Sequence, residues 1–119
     1  MNQGWIGVDL DGTLAQYAGW NGGAIGDPVP LMAARVRQWI NEGKDVRIFT
    51  ARVFDQDQKT VSKIQDWCAL HVGARLPVTN RKDYAMIELW DDRAIQVVPN
   101  TGERVDGADI PLAEFPLKV

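Results

Sequence analysis

The stretch that most constrains this chain is its first apolar run, Trp5-Ile6-Gly7-Val8, together with the acid-rich turn next to it, Asp9-Leu10-Asp11-Gly12-Thr13-Leu14. The run is short, partly β-branched and bounded by turn-formers, so it reads as a buried strand. It delivers two acids, one residue apart, where the chain must turn. Asp and Gly at such a place satisfy an ordinary polar turn. A calcium loop needs further oxygen ligands at alternate positions and a closing Glu, and Thr13, Leu14 and Ala15 do not supply them. The remaining reading is a pair of carboxylates at a strand's carboxyl end, placed for a divalent cation. The rest of the chain decides between the turn and the cation site.

With 119 residues, positions 1–119 are expected to form a single domain with one core and no second lobe. The net charge of −3 offers no general attraction to nucleic acid or anionic membrane. No apolar run approaches the length of a membrane span, and the N-terminus lacks a signal-peptide pattern. The single cysteine, Cys68, has no internal disulfide partner, which fits a reducing cytoplasm. There is no repeat, low-complexity tract or linker.

Along the chain, Ala15 to Gly26 carries four glycines with Tyr17 and Trp20 and no period. It reads as a loop on the edge of Asp9 and Asp11, either a plain connection or a lid whose aromatics meet substrate or a neighbouring subunit. Asp27-Pro28 then reads as the opening of a helix, with Asp27 as N-cap. Val29, Met32, Ala33, Val36, Trp39 and Ile40 form its apolar stripe, and Gly43 ends it. Asp45 to Thr50 reads as a second strand, closing on Thr50-Ala51-Arg52. Asp55 and Asp57 lie in a loop before a second helix from about Gln58 to Val72. Its inner face carries Val61, Ile64, Cys68 and Val72, and Gly73 stops it. Cys68 reads as a core residue and His71 as structural or exposed. Leu76 to Thr79 fits a short edge strand, since Pro77 suits an edge. Ala85 to Trp90 reads as a buried strand running into Asp91-Asp92-Arg93, and Ala94 to Val98 as one more strand.

Strands alternating with helices predict an α/β fold: a mostly parallel, Rossmann-like, doubly wound sheet covered on both faces, a three-layer sandwich. Ligands in such folds collect at the carboxyl edge of the strands. Asp9, Asp11, Thr50, Lys82, Asp91 and Asp92 each follow an apolar strand or lie in a turn beside one, so all are expected at one edge. Four carboxylates in one cleft repel by about 4 kcal/mol per pair at 4 Å and a protein-like dielectric. Such a cluster ionises around a cation. Hard oxygen donors without histidine or thiolate ligands favour magnesium over zinc. Lys82 adds a charge, Thr50 a hydroxyl, and the turn N–H groups around Leu10 and Asp11 further donors, a set that suits a phosphoryl group.

These residues resemble the haloacid dehalogenase (HAD) superfamily, on its phosphatase side. Asp9-Leu10-Asp11-Gly12-Thr13-Leu14 is similar to the family's first motif and Ile48-Phe49-Thr50 to its second. Lys82 matches the lysine of the third, with Lys63 the other candidate, and Trp90-Asp91-Asp92 matches the fourth. The resemblance spans about Trp5 to Val98. It implies a magnesium-dependent phosphomonoester hydrolase in which Asp9 is the nucleophile, passing through an aspartyl-phosphate. It makes Asp11 the general acid and then base. It implies a magnesium ion held by the Asp9 side chain, the Asp11 carbonyl and Asp91, with Asp92 a ligand or a partner to one. Thr50 and Lys82 would grip the phosphate, and the Asp9 strand would lie between those ending at Thr50 and Asp91. Asp11 favours phosphoryl transfer over dehalogenation.

The chain has no room for a cap domain. Capless relatives either admit bulky substrates to an open cleft or oligomerise, so a homo-oligomer is one expectation. Trp20 in its loop, Arg52 and Arg93 are candidates for substrate contact, with strand-end or surface ion pairs the alternative for both arginines. The expected partner is a phosphorylated small molecule or a phosphorylated polymer end. The acidic balance does not favour extensive nucleic-acid contact. The rival readings are a phosphotransferase or nucleic-acid-end phosphatase of the same fold, a non-catalytic scaffold, and a receiver-like phospho-acceptor domain. The last places its acids in a different order along the chain.

Overall fold

A computed structural model describes residues 4–55 and 57–108. It contains β1 (Trp5–Val8), α1 (Pro30–Asn41), β2 (Asp45–Phe49), a 3-10 turn (Ala51–Val53), α2 (Gln58–Val72), β3 (Val78–Thr79) and β4 (Met86–Trp90). The strands form one sheet in the order β3-β2-β1-β4, and every neighbouring pair is parallel. β1 therefore lies between β2 and β4, as the family resemblance implied. The chain leaves β1 towards β2 and β3, then crosses back to lay β4 on the other side. The reversal of strand order falls at the carboxyl end of β1, the place where open parallel sheets bind ligands.

Alternation along the strands decides which face is packed. Ile6 and Val8 stand in register with Val46 and Ile48. All four are buried in one cluster with Met32, Ala33 and Val36 of α1 and with Ile64, Cys68 and Val72 of α2. Both helices thus cover the same face, as two successive crossovers in one direction require. Among the described residues no helix covers the opposite face, which differs from the expected three layers. The stretch between β3 and β4, residues 80–85, is too short to hold a helix. On that open face Trp5 is buried by local partners instead: the Arg47 guanidinium lies 4.7 Å from its ring centre, Phe49 6.5 Å away, and its indole N–H donates to Asp83 at 2.9 Å.

Element boundaries also differ from the expectations: β2 closes at Phe49, one residue before Thr50, and β3 forms only over Val78–Thr79 of the expected Leu76–Thr79. α1 begins at Pro30 with Val29 as N-cap and no side-chain cap. Asp27 precedes it because Pro28 is held by a bridge to Ala15. The Ala85–Trp90 strand forms as Met86–Trp90 but as an exposed edge, with Ile87 and Leu89 open to solvent. Ala94 to Val98 makes no strand and has only one bridge, Val97 to Arg104. α2 matches its expected bounds, starting at the Asp57 cap, whose carboxylate accepts from the Lys59 N–H at 3.0 Å, and ending at left-handed Gly73. No helix among the described residues is long and apolar enough to cross a membrane.

Candidate metal and phosphoryl site

The turn after β1 is built by its own backbone. The Leu10 carbonyl accepts from the N–H groups of Thr13, Leu14 and Ala15, and Gly12 N–H donates to the Ala15 carbonyl. Leu10 and Leu14 are fully buried, which ties the turn to the core and turns Asp9 and Asp11 outwards. Gly12 is required here. Its φ is +89°, and a Cβ would stand 2.6 Å from an Asp92 carboxylate oxygen.

Asp91 and Asp92 are delivered by β4. Trp90 packs on Trp39 with ring centres 5.2 Å apart and carries the Arg35 guanidinium at 5.1 Å, which fixes the strand end. Asp91 Oδ1 accepts from the N–H groups of Arg93 (2.6 Å) and Ala94 (3.1 Å), so its side chain is oriented by the turn it begins. The Asp9 N–H donates to the Trp90 carbonyl at 2.9 Å, locking the two strand ends together.

The outcome is that Asp9, Asp91 and Asp92 each offer a carboxylate oxygen, all within 4.8 Å of one another. Acids from opposite ends of the sheet's chain order therefore share one point. The Thr13 hydroxyl lies between two of them, 3.2 Å from Asp9 Oδ2 and 3.4 Å from Asp92 Oδ1. Partial burial pushes the Asp9 carboxyl up to about 7. A hydrogen bond with Asp92 and the charge of Asp91 add to the rise, and the Thr13 hydroxyl opposes it. The donor set is all oxygen and all anionic, and the field it creates disfavours its own ionisation. A hard dication reverses that field, so the residues present fit magnesium.

Asp11 lies beside the triad and outside it. Arg52 holds it bidentately, Nε to Oδ2 at 2.6 Å and Nη2 to Oδ1 at 2.8 Å. The same guanidinium donates to the carbonyls of Gly23 (2.8 Å) and Ala24 (3.2 Å), and its side chain is only 8% exposed. Thr50 is buried, and its hydroxyl oxygen accepts from the Arg52 N–H at 3.1 Å, which leaves the hydroxyl proton for another acceptor. Asp9, Asp11, Thr50, Arg52, Asp91, Asp92 and Arg93 all line one cleft of about 480 Å³, together with Tyr17, Trp20, Phe49, Ala51 and Phe54.

Two expected site residues lie elsewhere. Lys82 is exposed and is not among the cleft-lining residues. Its turn ends at the Asp83–Ala85 segment, which is tied to the opposite end of β1 through the Trp5 N–H bond to the Ala85 carbonyl. Lys63, the other candidate, donates its ammonium to the Gly23 carbonyl at 2.7 Å and braces the glycine-rich loop. The cations that do line the cleft are Arg52 and Arg93. Arg52 takes the ion-pair alternative. Leu10 points its side chain into the core, so only its main chain could serve a substrate. Thr13 and Phe54, which are not among the expected site residues, also lie at the site, Thr13 between two of the acids and Phe54 in the cleft lining. The position of Thr13, two residues past Asp11 in the same turn, is the available signal for it. Phe54 carries none.

No protein-family model matches the chain, and no curated protein matches it. Among solved structures, the chain is similar to a conserved protein from Bacteroides thetaiotaomicron, with a TM-score of 0.59 and 17% sequence identity over 83% of this chain and 84% of that one. At that identity the likeness supports the α/β fold.

Proposed function

We propose that this chain is a magnesium-dependent phosphomonoester hydrolase with a HAD-like, capless core, acting on a phosphorylated small molecule. The observation that carries the reading is the meeting of Asp9, Asp91 and Asp92 within 4.8 Å, at the strand-order reversal and beside Asp11 and Thr50. A magnesium ion would be held by the carboxylates of Asp9, Asp91 and Asp92 with the Asp11 carbonyl. When bound, it neutralises the acids and the phosphoryl oxygens together.

The chain's own residues do the rest. An Asp9 carboxylate oxygen attacks phosphorus, and the bond to the ester oxygen breaks. Asp11 gives its proton to the departing oxygen. Water then attacks the aspartyl-phosphate, Asp11 takes the water's proton, and Asp9 and inorganic phosphate are released. Arg52 fixes the direction of the Asp11 carboxyl, and one of its two hydrogen bonds to Asp11 must open when that carboxyl carries the transferred proton. The Thr50 hydroxyl and Arg93, both lining the cleft, would meet the phosphoryl oxygens in place of a lysine. Cys68 takes no part, since burial pushes its thiol up to about 12; a reduced interior cysteine agrees with a cytoplasmic setting.

The test is hydrolysis of a generic aryl phosphate with and without magnesium, beside Asp9→Asn. The expected result is magnesium-dependent phosphate release that the variant loses by at least about a thousandfold. Equal turnover by the variant rejects Asp9 as nucleophile.

A further inference from the structure

We infer that the cleft takes a phosphomonoester whose leaving group ends in a flat aromatic ring, as in a free nucleoside monophosphate, with Trp20 and Phe54 forming the ring subsite. The inference rests on the phosphatase reading for the reaction but on separate residues for the ring.

Three exposed aromatic side chains line the same cleft as the acids: Tyr17, Trp20 (68% exposed) and Phe54 (78% exposed). Single exposed apolar residues are common on any surface. These three instead line one open concavity of about 480 Å³, a size that can seat a small ligand. Trp20 is also held in place although it is not buried. The Arg52 guanidinium lies 5.1 Å from its ring centre, covering part of the indole. The backbone just beyond it is anchored by Arg52 after β2, and by Lys63 and Trp67 of α2, the last donating its indole N–H to the Gly26 carbonyl at 3.0 Å. Phe54 caps the 3-10 turn that starts at Thr50, so its position follows the phosphoryl site directly.

A preorganised, solvent-facing indole costs hydration and returns nothing to the core. Stacking on a planar ring recovers that cost, is indifferent to hydrogen-bond pattern, and suits a nucleobase. An open-chain alkyl phosphate such as glycerol phosphate would leave the same aromatic surface wet. The net charge of −3 and the single Arg93 on the open rim supply no track for a polymer backbone, which favours the free nucleotide over a strand end.

The experiment measures kcat/KM with magnesium for adenosine monophosphate, glycerol phosphate and a 5′-phosphorylated oligonucleotide, using the full chain and Trp20→Ala, Trp20→Phe, Phe54→Ala and Tyr84→Ala. Adenosine, which carries no phosphate, is titrated separately by calorimetry. The expected result is that Trp20→Ala and Phe54→Ala each lower the adenosine monophosphate to glycerol phosphate ratio about tenfold, mainly through KM. Trp20→Phe restores most of it. Tyr84→Ala, on an exposed ring outside the cleft, leaves it unchanged. Adenosine binding weakens in parallel with Trp20→Ala. If no phosphoester is turned over but adenosine binds and Trp20→Ala weakens it, the phosphatase reading fails and the ring subsite stands. If adenosine does not bind, or the ratio is unmoved by Trp20→Ala and Phe54→Ala, the inference is overturned. A preference for the oligonucleotide over the free nucleotide overturns its assignment to a small molecule.

Discussion

Replacing Asp91 with asparagine should stabilise the metal-free protein while removing its response to magnesium. The substitution is a clean one. Asp91 Oδ1 accepts from the Arg93 and Ala94 N–H groups, and an asparagine amide oxygen can keep both bonds. What changes is the charge. Unit charges 4.8 Å apart repel by about 3.5 kcal/mol at an effective dielectric of 20, and Asp91 faces two such neighbours. Solvent around exposed Asp92, and the raised affinity of Asp9 for a proton, reduce that sum, so a net gain of about 1–2 kcal/mol is expected at pH 8 in chelator. For a chain of 119 residues this is about 4–8 °C in Tm. With magnesium at about 100 times its Kd, the unsubstituted protein gains about 2.7 kcal/mol, close to 11 °C. The variant, lacking one of three carboxylates, should gain a small fraction of that. Thermal melts with chelator and with magnesium read both numbers. A metal-free variant that melts lower than the parent, together with an undiminished magnesium shift, would refute the claim that these acids are strained around a cation's place.

The same geometry sets further outcomes. The Asp9 carboxyl is raised from 3.8 to about 7 in the folded metal-free chain, so the folded state binds more protons than the unfolded one between those values. The stability Asp9 contributes is present below pH 4 and is lost as pH rises through 7; denaturant titrations in chelator should show that decline, and Asp9→Asn should flatten it. Gly12→Ala should lower both stability and activity, because a Cβ at φ +89° meets Asp92 at 2.6 Å; an unchanged melt would contradict the close approach. Arg52→Lys keeps a charge but loses the fork that spans Asp11, Gly23 and Ala24. It should cost about ten- to a hundredfold in kcat and alter the limb of the pH–rate profile that reports the general acid, whereas a change in KM alone would assign Arg52 to substrate binding.

Much of this molecule was legible in its residues. The acid turn after an apolar strand, the glycine stop of α2 and the threonine that ends β2 are local signals, set by neighbours within a few positions. Period and turn chemistry report such features faithfully. The errors have a common physical origin. Asp27 has the chemistry of a cap, yet Pro28 is already engaged with Ala15 across the loop. Ala94 to Val98 has the composition of a strand but finds no neighbour to pair with beyond one bridge to Arg104. Strand formation requires a partner, and no window of sequence contains it.

The order of residues alone decided that carboxylates, a threonine and basic groups would follow the strands, because those residues sit where apolar runs end. Only the tertiary structure decided which of them meet. Laying β4 against β1 brought Asp91 and Asp92 to Asp9, while the short connection from β3 left Lys82 outside the cleft. The fold of the glycine-rich loop drew Arg52 onto Asp11 and brought Trp20 to the lining of the acids' cleft. Contacts between residues far apart in the chain depend on register and crossover, which are properties of the packed sheet and not of any segment within it.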